Sequence, residues 1–213
     1  MASSRPRWKS PRDRVLDDIE LKRVWEAAGQ VGYPFGTMTR LLIATGQRRD
    51  EVAKMRWEEI DLGRRLWALP RERVKADRPH EVPLSTITLE VLNTVPRLSG
   101  SPYVLTTNGA APLNSFDKNK KKLDQFLPTD MPGWRLHDLR RTCASGLARL
   151  GIPVHVTEAV LNHRSGTISG VAAVYNRYDY QAEKAQALEA WGRHVGSLIS
   201  GKPGKVLRLR GQR

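Results

Sequence analysis

The stretch from Leu136 to Leu150 constrains the fold more than any other part of the chain. Leu136, Leu139, Cys143, Leu147 and Leu150 recur at three- and four-residue spacing, which is the period of a helix with one apolar face. Gly151 and Pro153 end that helix. At about 100° per residue, Arg140 falls beside the apolar stripe and Arg141 nearly opposite it. Arg141 therefore faces solvent. Arg140 lies at the margin of the core, one turn from His137, where a guanidinium is placed to clamp an anion. His163 and Tyr175 follow downstream in the same segment, which runs from Trp134 to Tyr175.

The remaining elements read as mainly helical. Asp17 or Asp18 can cap a helix through Leu21, Val24 and Trp25, with Gly29, Gly32 and Pro34 breaking it. Met38, Leu41, Leu42 and Thr45 have the spacing of a buried helix face that stops at Gly46. Asp50 is the expected cap of a short helix carrying Val52, Met55 and Trp57, so that Gln47, Arg48 and Arg49 form a tight turn. Two short strands, 65–70 and 80–84, flank the polar connection 72–79 that carries Lys75. A helix over 85–95, a short strand over 103–106 and a lysine-rich helix over 117–126 come next. Leu188, Trp191, Val195 and Leu198 mark a last helix, which can pack on its own domain or on a neighbouring subunit. The expected class is mainly α with a small antiparallel sheet.

With 213 residues the chain can bury a sizeable core, and a single domain over 15–200 is expected. Residues 1–14 read as a basic arm and 201–213 as a basic tail that orders only against a polyanion. The formal net charge of +14 and a pI of about 10.4 point to nucleic acid as the partner. No stretch suits a membrane span or a signal peptide. Cys143 is the only cysteine, which leaves no disulfide framework and fits a reducing cytoplasm or nucleoid. Lys118, Lys120, Lys121 and Lys122 form either a solvated helix face or a ridge against phosphates.

Cleaving a phosphodiester needs a nucleophile, donors for the charged transition state and a proton for the leaving oxygen. The chain has no H-E-x-x-H, no aspartate-rich ligand cluster and no P-loop pattern, so a route without metal or other cofactor is the simpler one. Guanidinium forks can bind two phosphate oxygens at once, and Arg48 and Arg140 are the candidate pair. Tyr175, Tyr178 and Tyr180 are each placed to act as nucleophile. Taken singly, the tyrosines could be packing residues, His137 a helix cap and His163 a satisfied core histidine.

Their order along the chain resembles the phage integrase, or tyrosine recombinase, family. The motifs are T-G-Q-R-R-D-E at 45–51, a lysine between two strands at 75, H-D-L-R-R-T at 137–142, L-N-H at 161–163 and V-Y-N-R at 174–177. The resemblance implies that Arg48, His137, Arg140 and His163 hold the phosphate and that Glu51 supports them. It further implies Lys75 as general acid and Tyr175 as nucleophile forming a 3′-phosphotyrosyl link. Arg49, on this reading only a neighbour of the site, is expected as a DNA contact together with Arg141, Arg164 and the lysines at 118, 120, 121 and 122. The interval from His163 to Tyr175 is longer than is common in the family, which keeps Tyr178 in view; prophage-type integrases share it. Implied partners are double-stranded DNA and, on DNA, three further copies of the chain, with a monomer expected otherwise. Only a short basic arm precedes this region, so an isolated catalytic domain or a truncated form is the expectation.

Overall fold

In the computed structural model, residues 13–74, 78–163 and 178–201 are described here. In chain order the elements are α1 (Asp18–Val31), α2 (Phe35–Thr45), α3 (Arg49–Ala53), β1 (Ile60–Asp61), β2 (Leu66–Leu69), β3 (His80–Pro83), α4 (Thr86–Asn93), α5 (Phe116–Asp124), α6 (Leu136–Arg149), α7 (Val154–Leu161) and α8 (Gln181–Ser200). The mainly helical class with a small antiparallel sheet is the observed one.

The hub is α2. Every residue of it except Arg40 is buried, as its sequence F-G-T-M-T-R-L-L-I-A-T requires, because a helix that is apolar nearly all round belongs inside. Its threonines remain satisfied: Thr39 and Thr45 donate to the carbonyls of Phe35 and Leu41, four residues back, at 2.9 and 2.7 Å. Around it pack α1, α3, α4, α5, α6 and α8. Asp17 caps α1 by accepting the Glu20 N–H at 2.8 Å, while Glu20 accepts the Asp17 N–H at 2.9 Å. Gly29 does not break α1, which runs on to Val31 and stops at Gly32 (φ 72°). Its lack of a side chain leaves room for Arg40, whose Nη2 would lie 2.3 Å from a Cβ there.

Asp50 is not the cap of α3. Arg48 takes the extended N-cap conformation (φ −69°, ψ 144°) and Asp50 is already inside the helix, its carboxylate held by Arg49 Nε at 2.8 Å. Glu51, at the third helical position, instead reaches back to accept the Arg48 N–H at 3.2 Å. The sheet is antiparallel in the order β1-β2-β3, with Trp67 opposite Val82 and Leu69 opposite His80. Two-residue β1 was too short to show a period. The strand expected over 103–106 is reduced to a single bridge between Arg56 and Tyr103, because Val104 and Leu105 bond to Met55 and Leu113 at different places and build no ladder.

The last helix packs on its own chain, against α7, α1, β3, α4, α2 and α6. Leu188, Trp191 and Val195 are fully buried, and Trp191 Nε1 donates to the Ile43 carbonyl at 2.8 Å. That bond satisfies one of the carbonyls that a helix C-terminus leaves without an intrahelical partner. Of the expected arm, Arg14 is half-buried and ion-paired with Glu20. The rest of it up to Arg12, and the tail beyond Gly201, lie outside the described residues.

Candidate phosphate-binding site

Three chain turns meet where α2 ends, α6 begins and α7 ends. The first is T-G-Q-R. Gly46 terminates α2 with φ 65°, and a Cβ on it would come within 2.7 Å of Cys143 Sγ. Glycine is thus required there for both the left-handed backbone and the close approach of α6. Gln47, 1% exposed, ties this turn to α7 by donating to the carbonyls of Thr45 and Val160, each at 2.9 Å.

Arg140 lies where the helical wheel placed it. It is 6% exposed and donates to the Gly46 carbonyl at 2.9 Å and to the Leu161 carbonyl. Burial, followed by repulsion from Arg48, brings its pKa down to about 10, so it stays cationic at neutral pH. Arg48 donates to Glu51 Oε1 at 3.0 Å and to the Asn162 carbonyl at 3.2 Å. Glu51, 4% exposed, therefore holds both the backbone and the side chain of Arg48. Two guanidiniums from distant segments are gathered onto the C-terminal carbonyls of α7, where the helix dipole favours cations.

His137 and His163 are both exposed and border these arginines. Partial desolvation, then Arg141 and Arg140, lowers the His137 pKa; partial desolvation, then Arg140 and Arg48, lowers that of His163. Each imidazole is thereby biased toward its neutral form, which has one N–H to donate and one lone pair to accept a proton. Asp138, fully buried, caps α6 by accepting the Arg135 N–H at 2.8 Å and holds Arg141 at 2.8 Å. His137 is thus not the cap.

The lysine row divides. Lys118, Lys121 and Lys122 are exposed, whereas Lys120 folds inward, its Nζ 3.8 Å from the Trp134 ring centroid and 2.6 Å from Asp124 Oδ1. Arg49 is exposed and lies over the Phe116 ring at 4.3 Å. Tyr178 is 57% exposed, and its hydroxyl donates to Glu183 at 3.1 Å, a bond that raises its pKa. Tyr180 packs against the core with its ring 5.3 Å from that of His155. Lys75, Arg164 and Tyr175 lie outside the described residues.

Reading the sequence passed over three residues here. Arg78 donates to Asn162 Oδ1 at 2.8 Å, Asn162 caps α7 in the left-handed region (φ 47°, ψ 47°), and His80 is buried beside Arg78 and Arg140. An asparagine directly after a helical apolar run is a C-cap signal; the other two carry no local signal. A surface concavity of about 520 Å3 lies instead along the sheet by Glu58, Asp61, Glu81 and Arg97, and none of the described candidate residues lines it.

Comparison with known proteins gives a consistent set of likenesses. A profile described as the phage integrase family matches residues 14–182. Prophage integrase IntA of Escherichia coli strain K12 is 32% identical over 166 residues, covering 77% of this chain and 39% of IntA. The chain spans about two fifths of the length of the curated relatives it matches. Among solved structures, the integrase from mycobacterium phage Brujita superposes with a TM-score of 0.63 at 17% identity, covering 88% of this chain and 61% of that one. XerH site-specific recombinase bound to its difH substrate gives a TM-score of 0.54 at 15% identity, covering 79% and 51%.

Proposed function

The chain belongs to the phage integrase family, and from that premise we propose that residues 15–200 are the catalytic domain of a site-specific DNA recombinase that works through a covalent tyrosine link. The observation that carries this reading is the convergence of Arg48 and Arg140 at the end of α7, with His137 and His163 beside them. Two permanent cations with paired donors suit the two non-bridging oxygens of a phosphodiester, and their backbone anchors fix them before substrate arrives.

In the proposed step the hydroxyl oxygen of Tyr175 attacks phosphorus and the bond to the 5′ oxygen breaks. The phenol's proton passes to a neutral imidazole, and Lys75 protonates the departing 5′ oxygen. The product is a 3′-phosphotyrosyl link and a free 5′ hydroxyl. Attack by another strand's 5′ hydroxyl reverses the step and rejoins DNA, so no external energy source is needed. Tyr178 is the weaker candidate, because its hydroxyl is held by Glu183 and its ionisation is disfavoured. Double-stranded DNA is the proposed partner, contacted by Arg49, Arg141, Arg164, Lys118, Lys121 and Lys122, with four copies acting together on two duplexes. The Tn1549 transposon integrase, whose structure is a complex with transposon right end DNA, supports that partner.

The test is covalent capture from a randomised pool of nicked suicide duplexes in EDTA, run with the parent chain, Tyr175→Phe and Tyr178→Phe. A protein–DNA band resistant to denaturant, lost only in Tyr175→Phe, is expected. Loss only in Tyr178→Phe moves the nucleophile, and absence of any band from the parent chain overturns the catalytic reading.

A further inference from the structure

Asn162 stands at a position where glycine would suit the backbone better. Its φ of 47° and ψ of 47° lie in the left-handed region, which costs a side-chain-bearing residue energy that glycine avoids. The side chain is also imperfectly housed: Asn162 is 2% exposed, and its Nδ2 is a buried donor with no hydrogen-bond partner among the described residues. What the asparagine adds over glycine is Oδ1, which accepts Nε of Arg78 at 2.8 Å. Its backbone carbonyl accepts Arg48 at 3.2 Å, and the carbonyl before it accepts Arg140. Three guanidiniums from three separate segments are therefore fastened to two consecutive residues, immediately before His163. Arg78 lies in the connection between β2 and β3, three positions after Lys75.

We propose that Asn162 and Arg78 form a positioning pair that ties the chain entering β3 to the arginine cradle. The inference rests on the catalytic reading above and adds two residues to it. Neither is assigned contact with the reacting atoms. Asn162 instead couples the place of Arg78, just before β3, to that of Arg48 through one residue, so a shift of either is felt by the other.

The test uses the whole chain and a duplex recovered from the capture pool. Asn162→Gly keeps the left-handed cap and removes only the tie; Arg78→Ala removes the other partner. Each is expected to slow covalent capture at saturating DNA by roughly ten- to hundredfold, the order of loss that small misplacement of a catalytic group causes. Duplex affinity and melting temperature should stay close to the parent's for Asn162→Gly. The double variant should be no slower than the slower single one, because both changes break one contact. Hydrogen exchange in the peptide spanning Arg78–Pro83 should quicken in Asn162→Gly, a readout independent of DNA. Unchanged capture rates, additive losses or unchanged exchange in that peptide overturn the pairing. If the parent chain itself captures no DNA, the catalytic reading fails, while the exchange comparison still decides whether the tie exists.

Discussion

His80 shows how a single residue can be shaped by packing that its local sequence does not announce. It is 5% exposed on β3, and its Nε2 has no hydrogen-bond partner among the described residues. Lys184 of α8, Arg78 of the β2–β3 connection and Arg140 of α6 all face it. Burial first, and these cations second, bring its pKa down to about 3 from an ordinary 6.5. The unfolded chain then binds the proton more readily than the folded one, so the stability this neutral ring contributes is complete above about pH 6.5 and is lost progressively as pH falls below it. Unfolding by urea at pH 7.5 and pH 5.0 should show a smaller acid loss in His80→Asn than in the parent chain. The loss should not vanish, because His137 and His163 are shifted in the same direction. Equal losses in the two proteins would remove His80 as the source. Arg140 was legible from spacing alone, since one helical wheel fixes its angle to the core. The burial of His80 was not, because a four-residue strand does not reveal that α7 and α8 will cover it.

At the scale of elements, the crossing of α6 and α8 depends on one missing side chain. A Cβ on Gly146 would lie 2.2 Å from Cζ3 of Trp191, and the indole cannot retreat, being fully buried with its N–H on the Ile43 carbonyl. Gly146→Ala would gain about 1 kcal/mol of helix propensity on an exposed helix. Here it forces the two helices apart, and overpacking of a closed core costs roughly 1–3 kcal/mol and occasionally more. The clash should win, so Gly146→Ala is expected to lower the thermal midpoint, as measured by circular dichroism. A raised midpoint would mean that α8 can shift away without loss. The apolar stripes of α6 and α8 were readable because long helices repeat their period several times. The partner of α8 was not, since a stripe says that a face is buried and not against what. Short elements failed for the opposite reason: α3 has five residues and β1 two, too few to show where a cap or a ladder begins.

For the whole molecule, the question raised by a net charge of +14 is where on the surface that charge does its binding. Sequence supplied the sign and the expectation of a polyanion, but four neighbouring lysines could not be sorted by spacing into contacts and bystanders. The fold sorts them. Lys118, Lys121 and Lys122 project from α5 into solvent, and Arg49 lies over Phe116 of the same helix. Lys120 is held between Trp134 and Asp124 and serves the packing of α5 on the start of α6. If this face meets the DNA backbone, each lysine that neutralises a phosphate contributes about −0.9 to the slope of log K against log salt. Replacing Lys118, Lys121 and Lys122 together by alanine should then flatten the slope by roughly 2–3, and by the same amount on duplexes of unrelated sequence, because phosphate contacts do not read bases. Lys120→Ala should leave the slope nearly unchanged and lower the thermal midpoint instead. Fluorescence anisotropy of a labelled duplex over a salt series measures both slopes. An unchanged slope in the triple variant would return α5 to the status of a solvated face and leave the DNA backbone to the arginines around α7.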